Sequence, residues 1–227
     1  MKKYIIKFLS YENDNSLFSS AFLANNKYLF IKNGLLFIRG DYMKTEQCSL
    51  EQELIDIDEE KKRDMFIDEI AFIIKESHEK IQNIPNLQGE FEEGLYGLKT
   101  EKDEKSIVTQ AIMSMYYGGS QKCILNLIAH IVFNINSNHM YHNGNKRTAL
   151  FSMYTILYYF GYYLAGSHTE NTFLEFWEKF MCKIANYQNE KYLVNQKNTI
   201  DYIKDTLLKN VQIMVLKKPY NSKEKQK

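Results

Sequence analysis

At 227 residues the chain is long enough for one substantial core, or a core with a small appendage, and too short for two full domains. Its 29 Lys and Arg against 28 Asp and Glu leave a formal net charge of +1, so no global field steers it towards DNA or an anionic membrane and binding has to be local. The three cysteines, Cys48, Cys123 and Cys182, are odd in number and widely spaced, which excludes a disulfide framework and reads as reduced thiols in a cytoplasmic protein.

The amino end, Met1 to Asn15, carries a short apolar run broken by Lys7 and no small-residue cleavage pattern, which argues against a signal peptide. Residues 1–60 are rich in aromatic and β-forming side chains. Tyr28 to Ile31 and Leu35 to Ile38 flank Asn33-Gly34, a pair that tolerates positive φ at both centres of a type I′ turn, so a hairpin is expected here. The charged run Glu51 to Arg63 reads as a solvated helical face or linker into the main domain.

From Met65 a helical period takes over, with Phe66, Ile67, Ile70, Ile74 and Ile81 on one face, ending near Asn83 and Pro85. A polar segment containing Gly94-Leu95-Tyr96-Gly97 follows. Ile107, Val108, Ala111, Ile112 and Met115 then restore helical spacing up to Gly118-Gly119. Ile124, Ile128, Ile131 and Ile135 mark a strongly apolar helix that gives way to the polar break Asn136-Ser137-Asn138.

Thr148 to Thr169 has no charged residue apart from His168 and approaches bilayer length. Ser152, Thr155, five tyrosines and a first turn abutting Lys146 and Arg147 argue instead for a helix, about Arg147 to Leu164, buried all round in a bundle. Thr172-x-x-Glu175 reads as a capping box opening a helix with Phe173, Trp177, Phe180, Met181 and Ile184 inward, and Ile200, Ile203, Leu207 and Val211 mark another. The fold class expected is mainly α: a helical domain over 61–216, preceded by a β-hairpin-containing appendage with its charged linker over 1–60 and followed by a Lys-rich tail over 217–227.

Between the two apolar helices lies His139 to Leu150, HMYHNGNKRTAL. A helix, a short polar loop and a second helix have a physical use, because the loop delivers the unpaired N–H groups at the second helix's N-terminus, where the dipole also attracts phosphate. Gly144 lets the backbone approach an anion, Asn145 can orient it by amide hydrogen bonds, and Lys146 and Arg147 add two cationic donors. His139, with a near-neutral reference pKa, is placed to take a proton from a hydroxyl attacking that phosphate.

The string resembles the signature of the Fic/Doc superfamily, His-x-Phe-x-acid-Gly/Ala-Asn-Gly/Lys-Arg, standing here as His139, Tyr141, Asn143, Gly144, Asn145, Lys146 and Arg147. Asn145 to Ala149 is closer to the death-on-curing (Doc) branch, whose loop ends in Asn-Lys-Arg-Thr-Ala. That resemblance, reaching from about 66 to 211, implies a Fic/Doc-like helical bundle. It implies a toxin that uses ATP and Mg²⁺ to place the γ-phosphate on a hydroxyl of a translation elongation factor, under control of a separate antitoxin. Fic enzymes with glycine at the Lys146 position transfer AMP, which is the alternative chemistry. Many members of the superfamily carry an inhibitory Ser/Thr-x-x-x-Glu-Gly/Asn segment, which Ser49-Leu50-Glu51-Gln52-Glu53 matches only partly, as a charged segment does by chance.

The resemblance implies His139 as base, Gly144, Asn145, Lys146 and Arg147 as the phosphate-holding residues, and Gly94, Leu95, Tyr96, Gly97 and Leu98 as the flap that docks a target peptide. Tyr141 replaces the family's phenylalanine, so its hydroxyl needs a partner. Asn143 replaces the acidic Mg²⁺ ligand, and a neutral amide oxygen loses the charge attraction. A catalytically silent nucleotide- or protein-binding module is therefore the reading from another class. His130, His139 and His142 lack a Cys or acid to complete a zinc pattern. Lys27, Lys32 and Arg39 near the hairpin lack any recognition-helix or basic-arm pattern for DNA.

Overall fold

The computed structural model describes residues 2–9, 29–32, 35–39, 45–82, 97–99, 103–117, 123–164, 170–187, 195–213 and 216–217. Strands β1 (Lys2–Leu9), β2 (Leu29–Lys32), β3 (Leu35–Arg39) and β4 (Thr45–Ile55) precede helices α1 (Glu60–Gln82), α2 (Glu104–Tyr117), α3 (Ile124–Ser137) and α4 (Asn145–Tyr159). Then come β5 (Tyr162–Leu164), α5 (Glu170–Ala185), α6 (Gln196–Asn210), β6 (Val211–Ile213) and β7 (Leu216–Lys217). The fold is mainly helical.

The hairpin expected around Asn33-Gly34 is formed by β2 and β3, antiparallel with Leu29 opposite Ile38 and Lys32 opposite Leu35. Asn33, Gly34 and Lys27 themselves lie outside the described residues. The hairpin is part of a five-stranded sheet in the order β2-β3-β4-β1-β7, in which β1 and β4 run parallel and the carboxyl-terminal β7 adds antiparallel to β1. Leu216 and Lys217 thus belong to the sheet, and the rest of the expected tail, 218–227, lies outside the described residues.

The charged run Glu51 to Arg63 is not one helical face or linker. Glu51 to Ile55 completes β4 against Ile5 to Leu9, and Glu60 to Arg63 begins α1. The physical reason is cross-strand pairing of charge: Lys7 Nζ lies 3.7 Å from Glu53 Oε1 on the neighbouring strand. Ser49 to Glu53, the partial match to an inhibitory pattern, is likewise strand. Between strand and helix, Asp56 Oδ1 accepts from the N–H of Asp58 at 3.0 Å and of Glu59 at 3.4 Å, the local side-chain turn that aspartate favours.

The helices form as their spacing predicts, because one apolar face of each has only the bundle interior in which to leave water. Phe66, Ile67, Ile70, Ile74 and Ile81 of α1, the five expected residues of α2, and Ile200, Ile203 and Leu207 of α6 are all buried. α3 is the central element, buried at every position from Ile124 to Asn136. The polar break is only partial: Asn136 and Ser137 complete α3, because Asn136 Nδ2 donates to Met181 O at 2.8 Å and Ser137 Oγ to Ile184 O at 3.1 Å.

Two expectations about helix extent are corrected. α4 ends at Tyr159 rather than Leu164, since Gly161 turns the chain with φ +87° and Tyr162–Leu164 pairs antiparallel with Val211–Ile213. Nor is α4 buried all round: Phe151, Tyr154 and Tyr158 are 43%, 44% and 47% exposed, one stripe whose tyrosine hydroxyls can reach water. Among the described residues no helix is long and apolar enough to cross a membrane. α5 is already helical at Glu170, which puts Thr172 inside its first turn rather than at the cap.

The sheet is tied to the helices at the end of α4. Lys7 N–H donates to Phe160 O at 3.2 Å, Lys7 Nζ sits 4.2 Å over the Tyr159 ring, and Leu9 is buried in the helical core.

Candidate anion-binding site at the start of the fourth helix

The site begins with the way α3 stops. Asn138 caps it, His139 adopts the left-handed conformation with φ +49°, and Met140 N–H reaches back to Ile135 O at 3.4 Å. This six-to-one bond is the Schellman arrangement, in which the left-handed position favours glycine. A histidine there is strained, and its side chain is exposed.

The loop then runs alongside a segment distant in sequence. Lys99 N–H donates to Met140 O at 2.8 Å and His142 N–H to Gly97 O at 3.0 Å, making an antiparallel bridge between Leu98 and Tyr141. Of the flap residues named from sequence, Gly97 and Leu98 are thus brought to the motif, while Gly94, Leu95 and Tyr96 lie outside the described residues. In a bridge of this pattern the main-chain groups of Leu98 and Tyr141 point away from each other. Those of Tyr141 are both taken by Asn145, whose Oδ1 accepts from Tyr141 N–H at 2.8 Å and whose Nδ2 donates to Tyr141 O at 2.7 Å. The amide of Asn145 acts as a short third strand, leaving its own backbone N–H as what it can offer an anion.

Gly144 is the N-cap of α4, with φ +76° and ψ 8° and no side-chain cap. α2 and α6 differ: Asp103 Oδ1 accepts from Ser106 N–H at 2.8 Å and Asn195 Oδ1 from Asn198 N–H at 2.9 Å. α3 also starts without a side-chain cap, but at Cys123, whose surroundings are buried. The first backbone bond of α4 runs from Thr148 N–H to Gly144 O at 2.8 Å, so the N–H groups of 145–147 precede the helical ladder. Lys146 is exposed and Arg147 half-buried on the same turn. The residues named from sequence at 139 and 143–147 thus lie on the loop between α3 and α4 and on the first turn of α4, which carries Lys146 and Arg147.

Two supporting residues, His78 and Glu104, escaped the sequence reading, and both meet Tyr141. Tyr141 is buried, its hydroxyl donates to Glu104 Oε1 at 2.8 Å, and its ring stacks on His78 with centroids 3.7 Å apart and planes 12° from parallel. Burial, with the Glu104 carboxylate beside it, pushes the Tyr141 phenol well above its ordinary range. His78 Nδ1 lies 2.9 Å from Thr148 Oγ1, and burial pulls its pKa down to about 4, so the ring is neutral at pH 7. A signal for His78 did exist, a titratable residue on the apolar face of α1, four residues after Ile74. Nothing in the sequence pairs Glu104 with Tyr141.

Among the described residues the loop itself brings no carboxylate to hold Mg²⁺. Asn143 offers only an amide, no Asp or Glu occurs from 105 to 169, and Glu104 already accepts from Tyr141. Among the described residues no three His, Cys, Asp or Glu side chains gather as a metal site.

Comparison with protein families matches residues 48–157 to the model of the Fic/DOC family, from β4 to near the end of α4. Comparisons with curated proteins and with solved structures give no match. The family match supports the Fic/Doc superfamily and leaves the branch within it open.

Proposed function

We propose that this chain, whose residues 48–157 match the Fic/DOC family model, transfers the γ-phosphate of ATP to a hydroxyl group of a protein, in the manner of Doc toxins acting on a translation elongation factor. The superfamily supports a transferase of the phosphorylating or AMP-transferring kind. The observation that carries the choice between them is Lys146, an exposed cation on the first turn of α4 where AMP-transferring relatives are expected to have glycine.

In this reading His139 takes the proton of the acceptor hydroxyl as its oxygen attacks the γ-phosphorus. The new O–P bond forms as the β–γ bridge breaks, and ADP leaves. The N–H groups at the start of α4, with Lys146 and Arg147, bind the phosphate oxygens and offset their growing charge, which is the dominant contribution in such transfers. No step is assigned to Mg²⁺, because the loop offers no carboxylate. The main-chain groups of Leu98, which point away from Tyr141, offer an edge to which an extended target peptide would add as a strand. An antitoxin of separate sequence, cytoplasmic location and ATP as phosphate donor belong to the same proposal.

Incubation with cell lysate and ATP labelled at either the α or the γ position tests it. Label on protein from the γ position alone, lost in His139→Ala, is the expected result. Transfer of α-label would establish AMP transfer instead. Asn143 favours a second reading, a binding module without turnover; activity seen only in Asn143→Asp and abolished again by His139→Ala would establish that.

A further inference from the structure

We propose that His78 of α1 is a positioning residue for the anion cradle, acting through the Thr148 hydroxyl and the Tyr141 ring. The inference rests on the reading of 144–147 as a phosphate-binding turn, and it names what holds that turn in place.

The geometry converges on one imidazole. Its face covers the Tyr141 ring at 3.7 Å, its Nδ1 is 2.9 Å from Thr148 Oγ1, and a Cβ added to Gly144 would lie 4.0 Å from its Cε1. One side chain therefore touches the middle of the loop, lies beneath the N-cap and engages the residue that makes the first backbone bond of α4. From the opposite end of the ring, Glu104 of α2 accepts the Tyr141 hydroxyl at 2.8 Å. The loop is thus clamped between α1 and α2.

A phosphate-binding turn needs this support because its own donors are backbone N–H groups, whose directions are set by the loop conformation and not by side-chain rotamers. Displacement by a fraction of an ångström misaligns several hydrogen bonds at once. A ring that merely filled space at position 78 would be an apolar one, with no desolvation cost. Histidine bears that cost, and the bond to Thr148 is what offsets it.

His78→Phe keeps the ring and removes the polar bond, while Thr148→Val removes only the hydroxyl. Each is compared with the parent full-length chain in three measurements: ATP affinity by calorimetry, thermal midpoint, and amide hydrogen exchange over 140–148. We expect each variant to bind ATP about tenfold more weakly, and the double variant no more weakly than the poorer single one, because both remove one interaction. Exchange should accelerate over the loop and first turn of α4 and stay unchanged in α3 and α5. A structural role alone would lower the midpoint and leave the affinity of the folded protein intact.

Parent-like ATP affinity with parent-like loop exchange in folded variants would overturn the proposal. Should His78→Phe fail to fold, Thr148→Val carries the test alone. If the parent chain binds no ATP, the cradle reading falls by itself. The exchange data then decide the positioning claim: acceleration confined to the loop supports it, and none refutes it.

Discussion

The ten residues from His139 to Thr148 form two surfaces made of neighbouring residues and held to different standards. Met140, Tyr141, Asn145 and Thr148 are buried and tied to α1, α2, the 97–99 segment or the loop itself, whereas His139, His142 and Lys146 are exposed. The inner set carries the stability, and the outer set holds His139 and Lys146, to which the proposed transfer assigns its chemistry. The comparison teaches that the residues giving this loop its form are largely not those that would meet a ligand. A substitution can therefore separate folding from activity within a single turn of chain.

The largest effect expected on the inner surface comes from Asn145→Ala. It removes two hydrogen bonds and leaves the Tyr141 main chain buried and unpaired, which costs roughly 2 to 4 kcal/mol. Urea denaturation should show the midpoint falling with little change in slope; a loss under about 0.5 kcal/mol would mean that the amide is not the third strand described.

Acid should act on the same surface through His78. Its pKa lies near 6.5 when unfolded and about 4 when folded, so the unfolded chain binds the proton more readily between those values. Stability from the neutral ring is then full above about pH 6.5 and is lost as pH falls towards 4, amounting to about 2 kcal/mol after allowance for solvent screening. The difference in stability between parent and His78→Phe, followed by denaturation from pH 7 to pH 4, should shrink by that amount. A pH-independent difference would assign the acid response to other groups.

The smallest effect has the opposite sign. His139 occupies the left-handed position that favours glycine, so His139→Gly should stabilise the fold by about 1 kcal/mol while abolishing transfer. The measurements are a thermal melt and the γ-label assay. A destabilised His139→Gly would show that the histidine makes contacts which outweigh its strain, and the division between the two surfaces would have to be redrawn.

Much of this arrangement was legible from the sequence because it depends on local periodicity. The apolar faces of α1, α2, α3 and α6, the hairpin of β2 and β3 and the helix–loop–helix placing of the motif follow from spacing and turn chemistry that a few neighbouring residues determine. The stop of α4 was hidden because Tyr158 to Leu164 is apolar enough to continue a helix. Gly161 and pairing with β6, some fifty residues later, end it. β4 was hidden in its own charges, of which Glu53 meets Lys7 only once β1, far away in sequence, has paired beside it.

What the sequence by itself determined is which groups are available: a histidine, two cations and a glycine at a helix start, with the amide of Asn143 beside them. Only the tertiary structure decided how those groups are held. Asn145 turned inward to Tyr141, residues 97–99 became a neighbouring strand, and His78 and Glu104 became the clamp. The physical reason is range: reactivity and helix periodicity belong to side chains and their near neighbours, whereas a hydrogen bond across 37 or 70 residues exists only after packing has brought its two ends together.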